Sequence, residues 1–101
     1  MTIHKKEDRD TGRRITLVLM QYDFRSEISL DEIKESLFGI GAITEANRKA
    51  SNDELPVRFY RHGSSRSPYY CSSLSLAEYI VQKQLSEEAE FRRAKGAGAA
   101  Q

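Results

Sequence analysis

With 101 residues, 39% of them hydrophobic, the chain has room for one core of ordinary size and not for two. A charged fraction of 31%, a net charge of only +1 and nine large aromatic residues (five Tyr, four Phe) exclude global disorder, and no apolar stretch approaches the ~20 residues needed to span a bilayer. Cys71 is the single cysteine, which excludes an internal disulfide and a zinc site built from cysteines and makes a reducing, cytoplasmic setting the expectation.

Residues 1–12 carry Lys5, Lys6 and Arg9 among acids and lack a periodic apolar signal, so a mobile arm is expected there. Its mixed charge fits neither a secretory signal nor a transit peptide. A single globular domain is expected over 13–94. In 14–24 two periods compete: Ile15, Val18, Leu19 and Tyr22 satisfy the i, i+3, i+4, i+7 stripe of a helix, whereas the near-continuous apolar run through Leu17 and Met20 also fits a buried strand.

The next element is better specified. Ser29 followed by Glu32 forms a capping box, in which hydroxyl and carboxylate each satisfy an orphan backbone donor, and Ile28 with Ile33 can form the accompanying staple. Leu30, Ile33, Leu37 and Phe38 supply an apolar face, and Gly39 and Gly41 permit a left-handed stop. These signals predict a helix over 30–38. The carboxylates of Asp31, Glu32 and Glu35 are expected to complement its dipole rather than to act as an acid/base pair.

Thr44 is a candidate cap for a short basic helix through Ala50, with a strand as the other possibility, and 51–54 has turn chemistry. Pro56 bars a helix and permits a strand. Val57 and Phe59 then alternate with Arg58 and Tyr60, Gly63-Ser64-Ser65 reads as a loop, and Tyr69 and Tyr70 resume the strand signal, which predicts a β-hairpin with a basic tip. Cys71 is expected to be a half-buried structural residue. Ser75 and Glu78 suggest a second capping box, opening a helix to about Arg93 in which Glu88 and Arg92 are an i, i+4 pair. That helix could pair two copies of the chain or pack on its own domain; a flexible tail is expected over 95–101.

Neither histidine has a partner at metal-binding spacing, no phosphate-binding glycine loop precedes a helix, and nothing links Ser, His and acid into a catalytic arrangement. A non-enzymatic protein without a cofactor is therefore expected. Charge is unevenly placed: residues 47–72 hold five basic against two acidic residues, +3, whereas 15–46 hold two against six, −4. Within the basic segment Arg58, Arg61, His62 and Arg66 stand with Ser64 and Ser65 around a glycine turn, a donor set suited to phosphate oxygens.

From Arg13 to Ser72 this order resembles a winged helix-turn-helix domain, an α+β fold with three helices, a two-stranded wing and here a long C-terminal helix. The resemblance implies a DNA-binding transcription regulator. It would place Asn47, Arg48 and Lys49 of the third helix at bases or phosphates, and Arg58, Arg61, His62 and Arg66 of the hairpin on the neighbouring backbone. If 15–24 is instead a strand, the chain becomes a β-α-β-β-α two-layer sandwich. Phe59, Tyr60, Tyr69 and Tyr70 would then anchor a protein partner, as in a small inhibitor or adaptor of a larger machine.

Overall fold

The structure, a computed structural model, describes residues 5–99, with side chains described over 9–95. His4 and the last two residues lie outside it. In chain order the elements are α1 (Lys5–Gln21), β1 (Glu27–Ser29), α2 (Leu30–Phe38), α3 (Ile43–Ser51), β2 (Tyr60–Arg61), β3 (Tyr69–Ser72) and α4 (Ser73–Ala99). The fold class is α+β: four helices with one antiparallel sheet of order β1-β3-β2.

The ambiguous segment 14–24 is helical as far as Gln21, so the two-layer sandwich does not form. Long-range packing selects the helical period: Val18 is buried against Ala77 and Val81 of α4, with Ile15, Leu19 and Tyr22 beside it. Arg14 reinforces the pairing with a two-pronged bond to Glu88, at 2.8 and 3.1 Å. The helix also begins earlier than its apolar stripe, at Lys5, so residues 5–12 of the expected arm are helical. An established helix extends at one bond per residue, and the i, i+4 pair of Asp10 and Arg14 supports that extension.

The cap at Ser29 forms as its residue type dictates: its hydroxyl accepts from the Glu32 amide, and α2 has the bounds its sequence predicts. The reciprocal half of the box is absent. Glu32 turns to Arg25, which grips it at 2.6 and 3.0 Å, because Ser29 closes β1 and sits opposite Tyr70 in the sheet. Gly39 ends α2 at φ +67, where its amide and that of Ile40 return to the carbonyls of Glu35 and Lys34.

Three local expectations need correction. α3 starts at Ile43 after Ala42, so Thr44 lies inside the helix and does not cap it. α4 starts at Ser73, and it is the Ser72 hydroxyl that accepts from the Ser75 amide, so Ser75 is a donor within the first turn. β2 is only Tyr60–Arg61, because 57–59 has no strand beside it; Val57 and Phe59 are buried without ladder bonds.

Beneath the sheet Ile28, Leu30, Ile33, Ile40, Ala46, Val57, Phe59, Cys71 and Leu76 form the main core. Cys71 is wholly buried rather than half-buried, and it sits opposite Ile28 at the centre of the sheet. α4 buries Leu76, Ala77 and Val81 within its own domain. No described helix is long and apolar enough to cross a membrane.

Candidate nucleic-acid interface

Strand alternation sorts the hairpin into two faces. The pair Arg61 and Tyr69 shares the inner face with Cys71, while the pair Tyr60 and Tyr70 lies on the outer one. On the inner side the hairpin and the helices bound a groove of about 420 Å3. α3 contributes Ile43 and Asn47, α2 contributes Asp31, and the hairpin contributes Arg61, Tyr69 and the loop residues Ser65 to Pro68.

Arg61 is the central cation of this groove. Its guanidinium lies 4.2 Å above the Tyr69 ring, an arrangement that uses the flat face of the group and leaves its in-plane donors unspent. Its Nε is buried without a hydrogen-bond partner among the described residues. A buried, charged donor without a partner is costly.

The loop carrying Arg66 has a defined shape. Gly63 takes φ +78, a conformation that a side chain disfavours, and Ser64 accepts from the Arg66 amide at 3.0 Å through its hydroxyl. The Ser67 hydroxyl and amide both donate to the Ser64 carbonyl, at 2.7 and 3.1 Å. Ser64 and Ser67 thus fold the tip upon itself and hold Arg66 at the groove's edge.

Asp31 is the counter-charge of the groove. Lys34 lies 3.5 Å from it on the next turn of α2, which offsets part of its negative field. The other acids of α2 do not line the groove: Glu32 is held by Arg25, which keeps its carboxyl below the usual range.

Of the residues predicted to meet nucleic acid, the groove brings together Asn47, Arg61 and Arg66. Arg48 instead reaches Glu54, at 3.7 Å in an exposed pair, and Lys49 and Arg58 do not line the groove. His62 belongs to the outer face: its Nε2 is 2.8 Å from Glu27, which also accepts a 2.6 Å bond from the Tyr60 hydroxyl. The His62 ring packs between Tyr60 and Tyr70, with centroids 5.5 and 5.2 Å away.

The aromatic set proposed for a protein partner is also divided. Phe59 is a core residue, 8% exposed with its ring edge-on to Phe38, and cannot anchor a partner without unfolding. Tyr69 is half-buried under Arg61, whereas Tyr60 and Tyr70 accompany His62. Asp31 and Ile43 were not predicted as lining residues. Asp31 carries only a helix-start signal, and the turn that sets α2 against α3 is what brings it to the groove.

Among the described residues no cluster of His, Cys, Asp and Glu could hold a metal ion. Comparison with models of protein families, with curated proteins and with solved structures returns no match.

Proposed function

We propose that the chain is a winged-helix DNA-binding regulator that grips duplex DNA along the groove between α3 and the β2–β3 hairpin. The observation that carries this reading is Arg61: a charged donor with no carboxylate partner among the described residues, held flat on Tyr69 and flanked by Arg66 on a shaped loop. The succession of α2, a four-residue turn, α3 and a hairpin supports it, as does the +3 charge of residues 47–72. In this reading the guanidinium groups of Arg61 and Arg66 take backbone phosphates, and Asn47 reads a base edge as α3 enters the major groove. Arg48 exchanges its exposed bond to Glu54 for a phosphate.

Asp31 has a consequence here. A carboxylate beside the contact surface opposes indiscriminate binding to a polyanion and leaves affinity dependent on a well-placed set of contacts. The test is anisotropy of labelled duplex DNA titrated with the protein at several salt concentrations. Binding should weaken as salt rises, with log K falling by about 0.9 for each phosphate contact per unit of log salt. Absence of salt-sensitive binding at low ionic strength overturns the reading and leaves a protein partner at the hairpin's outer face, where Tyr60 is 38% exposed.

A further inference from the structure

We propose that Ile43 and Asn47 select neighbouring A·T base pairs, Asn47 by hydrogen bonds to an adenine and Ile43 by contact with a thymine methyl group. The inference rests on the DNA reading above and adds which bases α3 accepts.

α3 is anchored to its own domain by Ala46, which is wholly buried, and by Ala50, which packs against the same core. The row beside them holds Ile43 and Asn47, four residues apart and therefore stacked along the helix, and both line the groove. The cations of α3 lie elsewhere: Arg48 reaches Glu54, and Lys49 does not line the groove. The face that α3 turns to the groove thus consists of one amide and one branched aliphatic chain, without a charge.

That pair of groups discriminates among bases. In the major groove adenine shows an acceptor at N7 and a donor at N6, which the donor and acceptor of an asparagine amide match together. Guanine shows two acceptors, N7 and O6, a pattern suited to the paired donors of arginine or to lysine, and α3 brings neither to the groove. An asparagine facing guanine satisfies one acceptor and sets its own carbonyl against the other. Cytosine offers a single donor and so a single bond.

Ile43 completes the selection. It is 38% exposed, an aliphatic chain left in water on the face that Asn47 shares. The thymine methyl is the apolar group that bases present in the major groove, and covering it removes both surfaces from water. Four residues advance about 6 Å along a helix, and stacked base pairs lie about 3.4 Å apart. The two side chains therefore reach base pairs one or two steps apart.

The test begins with selection of bound duplexes from a pool with a randomised centre, which should enrich two A·T pairs one or two steps apart. In the enriched duplex, uracil in place of the contacted thymine removes only the methyl group and should weaken wild-type binding about fourfold. Replacing the contacted adenine by 7-deazaadenine removes only N7 and should weaken binding about tenfold. The uracil effect should vanish in Ile43→Ala and persist in Asn47→Ala, and the 7-deazaadenine effect should do the reverse. A folding defect in either variant cannot produce that crossed pattern, because the change is made in the DNA. Asn47→Arg should move the preference from adenine to guanine. Salt-sensitive binding that enriches no A·T pairs, or base effects that persist in both variants, would overturn the inference and leave the DNA reading standing. Absence of salt-sensitive binding at low ionic strength would overturn both.

Discussion

On the outer face of the hairpin Tyr60 and His62 both reach Glu27, and their rings pack with Tyr70. On the inner face, one residue along the same strand, Arg61 has an aromatic ring beneath it and no hydrogen bond for its buried Nε. Neighbouring residues of one short strand therefore differ in what they still lack. A self-satisfied polar cluster contributes to the shape of the sheet, whereas the cation on the groove is the group on which the proposed binding rests. Composition treats the two faces alike, since both are rich in Tyr and basic groups, and only strand register separates them.

Substitution at the two faces should break this symmetry most visibly in binding. Arg61→Ala and Arg66→Ala are each expected to weaken DNA affinity about tenfold, the size of one lost charge-assisted contact, and to lower the salt slope by about 0.9. The loss should be similar for all sequences, whereas Asn47→Ala should change sequence preference. Tyr60→Phe, on the outer face, should leave affinity within about twofold. Equal losses at Arg61 and Tyr60 in the anisotropy titration would mean that the two faces are not functionally distinct.

Between the faces lies the layer on which both depend. Cys71 is wholly buried, and burial pushes its thiol up to about 11. Little thiolate exists at neutral pH, so alkylation of the folded protein should be slow and should quicken only on unfolding. Cys71→Ser places a hydroxyl where no partner is at hand and should cost roughly 1–3 kcal/mol in denaturant unfolding, with binding retained in the folded fraction. Rapid labelling of the native protein would show that the sheet's centre is open.

How much of this was legible in the sequence depends on how local each signal is. α2 has its predicted bounds because Ser29 and Gly39 act on groups within a few residues. β1 escaped notice, since three residues give no readable alternation and its partner Cys71 lies far along the chain. Asn47, Arg61 and Arg66 could be proposed from residue type, but Asp31 joins them only through the α2–α3 turn. The bond from Arg14 to Glu88 spans 74 positions and leaves no local trace. By contrast, the alternation of Val57 and Phe59 with Arg58 and Tyr60 already puts Phe59 and Tyr60 on opposite sides.

The two serine caps sharpen the same point with a smaller effect. Ser29→Ala and Ser72→Ala should each cost about 0.5–2 kcal/mol, because each removes an acceptor from a helix start. Ser75→Ala should change the denaturant midpoint very little, as its amide, not its hydroxyl, takes part in the cap. A large effect at Ser75 would place the start of α4 three residues later than observed.

The smallest effect expected is at Tyr60, and its pH dependence carries the information. The bond from Tyr60 holds the Glu27 carboxyl below its ordinary 4.5, with His62 adding to the shift, and the same bond raises the phenol from 10.0 to about 12. A lowered carboxylate stabilises the fold above its unfolded pKa, and that contribution is lost as pH falls through the folded value. A raised phenol stabilises the fold below 10.0, and that contribution is lost as pH rises through about 12. Wild type should therefore exceed Tyr60→Phe in denaturant midpoint across the neutral range, and the gap should close at both extremes. On the acid side it should close only in part, because His62 still faces Glu27 in the variant. Solvent screens this exposed pair, so the midpoint difference will be small throughout. A gap that stays constant from acid to alkali would assign Tyr60 to packing against His62, and the outer face would then be held by its rings rather than by its shared carboxylate.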